Sequence, residues 1–216
     1  MSRGSAAARI SASAGDQWGM VTAGQARRRG VSRVDLARLV ADGTLAVVQG
    51  AARVYRLTGA PENPDLDPVR AAWLQLGGSK SWEERIADPD AIVSHRSAAH
   101  VRGWGDLTAR VHEFYVPVRR RPRRTDIKLR VRPHLDPERW DIWSGLPVCT
   151  AETIVDDLLS EHEDESAVAQ IVHDAIRDGL LDQDAVAHAI SGHERAYGHT
   201  TTEQFVAIIT GEETHK

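Results

Sequence analysis

Cysteine is almost missing from this sequence: Cys149 is the single one among 216 residues. No intramolecular disulfide can form and no thiolate metal framework can be assembled, which points to a reducing compartment, the cytoplasm. Long apolar runs are missing too. The opening "MSRGSAAARISASAG" has no apolar core of the roughly 7 to 15 residues a secretory leader needs, and nothing approaches the roughly 20 that span a bilayer. No membrane partner is expected. A P-loop, a glycine-rich dinucleotide motif, a nucleophile elbow and an HExxH helix are all absent.

Histidine is plentiful, but its spacing is wrong for chemistry. His95 and His100 project about 140° apart on one predicted helix, which does not suit a shared metal. His188, His193 and His199 have no cysteine near them. Asp156 and Asp157 are adjacent and diverge by about 100°, so they cannot work as a carboxylate pair. The expectation is a protein with no catalysis, no metal and no cofactor.

Net positive charge is the last absence, and it misleads. The formal charge is −4, yet residues 1–57 hold nine Arg against three Asp. Residues 117–139 hold eight Arg and one Lys against three acids, and residues 150–216 hold fifteen acids against three bases. Two basic segments and an acidic tail suggest a nucleic-acid surface at one end and a separate role at the other.

What is present begins with "TAGQARRRGVSRVDLARLVADG", residues 22–43. Thr22 and Gln25 form a capping-box pattern, with Val21 placed to staple onto Ala26, so a helix is expected from about Ala23 to Arg29, closed by Gly30. Ser32 and Asp35 repeat the pattern, with Val31 against Leu36 and Gly43 as the stop. At 100° per residue Leu36, Leu39 and Val40 share one face, and Val34, Ala37, Arg38 and Ala41 the other. Small residues on the outward face suit entry into a major groove, with Arg33 in the first turn where recognition helices touch DNA. "TLAVVQGAARVYRL", residues 44–57, reads as a hairpin about Gln49-Gly50, with Arg53 and Arg56 on the return strand. Helix, sharp turn, helix and basic hairpin make a winged helix-turn-helix, in which Arg27, Arg28 and Arg29 would meet phosphates. The alternative is a helical hairpin with a solvated basic face.

Three prolines and several turn formers make "LTGAPENPDLDP", residues 57–68, the expected boundary. A winged-helix DNA-binding domain would occupy residues 1–60 and an α+β domain residues 68–216. Asp67 is placed to cap a helix with Pro68 at its first position, and a further helix should start after Ser94 and end at Gly103. Residues 111–118 and 126–132 read as strands. Between them "RRRPRRT" would form a hairpin tip with Arg119, Arg120, Arg121, Arg123 and Arg124, which must be exposed because unpaired buried guanidinium is prohibitively costly. It is either a solubilising loop or a second basic surface for phosphate, a protein partner or RNA. From Thr150 the pattern is helical in four segments. Their acidity is either a solvated outer face or a preference for a basic partner.

The segment "GMVTAGQARRRGVSRVDLARLVADGTLAVVQGAARVYRL", residues 19–57, resembles the N-terminal winged helix of AbiEi-type antitoxins of bacterial type IV toxin-antitoxin systems. The resemblance continues through "IVSHRSAAHVRGWGDL", "HEFYVPVRRR" and "GLPVCTAETIVDDLL". It implies a fold of class α+β, a winged helix followed by a mixed domain with a β-hairpin and terminal helices. It also implies a transcriptional autorepressor that binds repeats in its own promoter and counteracts a nucleotidyltransferase-like toxin. By position the DNA-reading residues would be Ser32, Arg33, Val34 and Arg38, with Arg53 and Arg56 on the wing. Inverted repeats would call for a monomer in solution that binds DNA in pairs, or for self-association. The alternative function is a toxin-binding protein that neutralises by direct contact without specific DNA binding. A nuclease is disfavoured, because the Asp and Glu-x-Asp-Gly constellation of related endonuclease-like domains is missing.

Overall fold

A computed structural model describes residues 3–122, 124–134 and 136–211. They divide into two compact units, Met1–Ala91 and Ile92–Lys216.

The first unit runs α1 (Arg3–Ala14), β1 (Met20–Thr22), α2 (Ala23–Arg28), α3 (Arg33–Ala41), β2 (Leu45–Val47), β3 (Val54–Leu57), α4 (Asp67–Gly77) and α5 (Trp82–Ala87). Its sheet has the order β1-β3-β2, antiparallel throughout. Paired residues share a face, so Val21, Leu45, Tyr55 and Leu57 lie on one side and Met20, Val54 and Arg56 on the other. The first side closes over Ala6, Ile10, Ala26, Val31, Leu36 and Leu39 from α1, α2, α3 and their turn. This is a winged helix. Burying Leu36 and Leu39 contributes roughly 1.5–3 kcal/mol each and sets the roll of α3.

The second side of the sheet meets α4, and here the boundary expected at residues 57–68 is corrected to Ala91/Ile92. The proline-rich stretch is a connector inside the first unit. Arg56 pairs with Asp67 at 2.5 Å, Thr22 Oγ1 donates to the Gly78 carbonyl at 2.5 Å, and Gln25 Nε2 donates to the Lys80 carbonyl at 2.8 Å. Asp67 is not the cap of α4: Leu66 holds that position. The Asp67 carboxylate instead accepts from the Asn63 backbone and pairs with Arg56 and Arg70.

The second unit runs β4 (Ile92–Val93), α6 (His95–Arg102), β5 (His112–Val116), β6 (Ile127–Val131), β7 (Trp140–Trp143), β8 (Leu146–Cys149), α7 (Ala151–Ser160), α8 (Glu165–Arg177), α9 (Gln183–Ile190) and α10 (Thr202–Thr210). Its mixed sheet has the order β6-β5-β4-β8-β7. The hairpin of this domain is β7/β8, turned by Ser144 and Gly145, both at positive φ as a two-residue turn of type I′ requires. The expected hairpin between residues 111 and 132 is corrected: β5 and β6 pair in parallel. The arginine-rich stretch is therefore a crossover that returns along the strands, not a tip. The four expected helices from residue 151 onward form, with Asp182 and Thr201 capping α9 and α10 through their side chains. Part of the tail's acidity is spent within the unit, on Arg139–Asp156, Arg96–Glu163 and Arg130–Glu161. Cys149 is a free, buried thiol.

Candidate nucleic-acid interface

Two capping boxes build the helix-turn-helix. Thr22 Oγ1 accepts from the Gln25 N–H at 3.1 Å while Gln25 Oε1 accepts from the Thr22 N–H at 2.8 Å. Gln25 is also gripped by buried Gln17, which donates to it at 2.8 Å. Helix α2 ends in a Schellman motif: the Gly30 N–H reaches the Arg27 carbonyl and the Val31 N–H the Ala26 carbonyl, both at 2.9 Å, with Gly30 at φ +75°. Val31 and Ala26 supply the accompanying apolar contact inside the core.

Helix α3 starts at once on the second box. Ser32 Oγ accepts from the Asp35 N–H at 3.1 Å and donates to Asp35 Oδ2 at 2.6 Å, and the Ser32 N–H donates to the same oxygen at 3.1 Å. These bonds hold the Asp35 carboxyl below its ordinary value, so the cap stays ionised. Ser32, expected as a DNA-reading residue, is thus occupied as the cap. Leu36 and Leu39 face the core, whereas Arg33, Val34, Ala37, Arg38 and Ala41 are exposed, Val34 at 59%. Arg38 is 4.0 Å from Asp35 with its side chain 66% exposed, a contact that leaves it reaching into solvent.

The flanking arginines divide into groups. Among the described residues Arg27, Arg33 and Arg53 are exposed and have no ion-pair partner. Arg29 is exposed as well, and its carbonyl accepts from Arg9 of α1 at 3.3 Å. Arg9 lies against Gly30 at the corner between α2 and α3. The sequence reading missed it because the packing of α1 on α2 and α3 leaves no local signal. Arg28 is engaged twice with Glu84 of α5, at 2.6 and 2.9 Å, and with the Ser79 carbonyl at 3.0 Å. The bonds from Arg28 and from the Ser81 N–H pull the Glu84 carboxyl down to about 2.

On the wing, Arg53 is not on the return strand but just before it, at φ +65° in the loop. Arg56 is the clear correction. It is 6% exposed, paired with Asp67 and bonded to the Pro61 carbonyl, because its strand position points to α4 and away from solvent. It ties the wing to α4 and cannot reach a phosphate.

In the second unit Arg119 and Arg121 are exposed, Arg120 is half-buried, and Arg124 is half-buried and paired with Asp126. Arg123 lies outside the described residues. Among the described residues no group of three or more His, Cys, Asp or Glu is placed to hold a metal ion, and no helix is long and apolar enough to cross a membrane.

Residues 8–49 match a family model described as a transcriptional regulator, AbiEi antitoxin. That span covers most of α1, the helix-turn-helix and the first wing strand, so the similarity lies in the N-terminal winged helix. Among solved structures it is similar to the Rv2827c protein of Mycobacterium tuberculosis, with a TM-score of 0.53 at 15% identity, over 94% of this chain and 75% of that one. At that identity the likeness speaks for the fold. No curated protein matches the chain.

Proposed function

From an N-terminal winged helix similar to the AbiEi antitoxin regulator family, we propose that the protein represses its own operon by binding promoter repeats and counteracts a nucleotidyltransferase-like toxin encoded with it. The reading is one of binding rather than catalysis, in the cytoplasm, with two copies occupying an inverted repeat. The observation that carries it is the outer face of α3. Arg33, Val34, Ala37, Arg38 and Ala41 are all exposed, none is acidic, and the face is small enough for a helix to lie in a groove. Arg27, Arg29 and Arg53 stand on the neighbouring turn and wing as phosphate contacts. They position the helix without reading bases.

Arg38→Ala should weaken binding to the DNA upstream of the gene by about 1–3 kcal/mol relative to a scrambled duplex, whereas Arg27→Ala should weaken both duplexes alike. Fluorescence anisotropy with the two duplexes separates these effects. Wild-type affinity in both variants would remove α3 from any DNA contact.

A further inference from the structure

We propose that the second unit carries its own sequence-independent contact to the DNA backbone, made by Arg119 and Arg121 of the crossover between β5 and β6. Arg96, Arg102, Arg130, Arg139 and Arg177 are each within 2.7 Å of a carboxylate of the same unit, so most of the cations on its helices and sheet are spent internally. Arg119 and Arg121 depart from that rule: both are exposed, and neither has an ion-pair partner among the described residues. Arg110 and Arg195 also lack one, but they stand singly in the chain.

Parallel pairing explains why these arginines are displayed. A crossover from the end of β5 back to the start of β6 must travel the length of five paired residues, roughly 16 Å. It does so in residues 117–126, with residues 119–122 in neither helix nor strand, on the way into β6, an edge strand of the sheet. Its far end is pinned where the His112 N–H donates to the Asp126 carbonyl at 2.7 Å and Arg124 grips Asp126. Pro122 biases Arg121 to extended backbone. Two residues of extended chain span about 7 Å, and side chains two apart on extended backbone project to the same side, so the two guanidinium groups can face one partner together.

A duplex backbone is the partner whose chemistry fits. Stable protein interfaces are anchored by buried aromatic and apolar residues, and this segment offers none beyond Val118. Arginine forks with little else are the chemistry of phosphate contact. The helical segment from residue 150 onward carries fifteen acids against three bases, which leaves this crossover as the place where a polyanion is attracted.

The test uses the full chain and fluorescence anisotropy over a salt series, with a duplex from upstream of the gene and a scrambled duplex of equal length. Arg119→Ala/Arg121→Ala, with an unchanged circular dichroism spectrum, should flatten the slope of log affinity against log salt by about 2 and weaken both duplexes by about tenfold or more at low salt. Arg119→Lys/Arg121→Lys should restore the slope. An unchanged slope, or a loss confined to the upstream duplex, overturns the proposal. The two readings fail separately. If α3 does not read sequence, the wild type binds both duplexes alike while the alanine pair still flattens the slope.

Discussion

Asp157 shows how one residue can oppose its own environment. It is 3% exposed on α7, accepts a hydrogen bond from Tyr115, and has Arg132 and His95 each 3.6 Å from its oxygens. Burial pushes the carboxyl up to about 6, against the Tyr115 bond and the Arg132 charge that favour ionisation. The same burial, with the nearby charge of Arg130, drives His95 down to about 3 and keeps the ring neutral. A carboxyl raised in the folded state contributes stability that is full below its ordinary value of 3.8 and lost as pH rises through about 6. The depressed histidine works oppositely: its contribution is present above 6.5 and lost as pH falls toward about 3. In the window between the two acid values the effects offset, so the wild-type curve alone hides both. Urea unfolding of wild type and Asp157→Asn isolates the carboxyl. Relative to the variant, wild type should gain about 2 kcal/mol between pH 7 and about pH 4. An equal difference at both pH values would show that the carboxyl titrates normally.

At the scale of elements, close approach competes with propensity at Gly24 in α2. Alanine is intrinsically favoured over glycine inside a helix by about 1 kcal/mol. A Cβ at this position would lie 2.5 Å from the Gly78 carbonyl oxygen and 2.9 Å from its carbon, both backbone atoms that cannot rotate away. Overpacking of this kind costs about 1–3 kcal/mol and the propensity gain offsets about 1 of it, so Gly24→Ala should lower stability by up to about 2 kcal/mol. A higher melting temperature for the variant would refute the packing of the α4 end against α2. The contrast between Gly24 and the caps shows what a sequence discloses. Thr22/Gln25 and Ser32/Asp35 act over three residues, so both helices and the outward face of α3 could be read directly. The direction of β5 against β6 depends on a partner a dozen residues away, and both strands alternate equally well either way. Arg56 failed for the same reason. Its strand looked half-exposed, and only α4, brought back by Asp67, turned the arginine's side of the sheet into an interior.

At the scale of the whole molecule, formal charge follows the observed boundary differently from the expected one. Residues 1–57 carry net plus six, but residues 58–91 add seven acids against three bases, leaving the first unit at plus two. Its affinity for DNA must then come from where its arginines stand rather than from net charge. A fragment cut at residue 60 would keep nearly all the arginines and look like the better DNA-binding piece. It would also strip α4 from the sheet, exposing Met20 and Val54, both 0% exposed, and leaving Arg56 without Asp67. Burial of two such side chains and a paired cation is worth several kcal/mol, comparable to the whole stability of a small domain. Residues 1–91 should therefore melt cooperatively and retain the preference for the upstream duplex. Residues 1–60, in spite of the higher charge, should show no cooperative transition and only weak, salt-sensitive binding. Circular dichroism melts of the two fragments decide it, and a cooperative melt from residues 1–60 would mean that α4 is an appendage to the winged helix instead of its second wall.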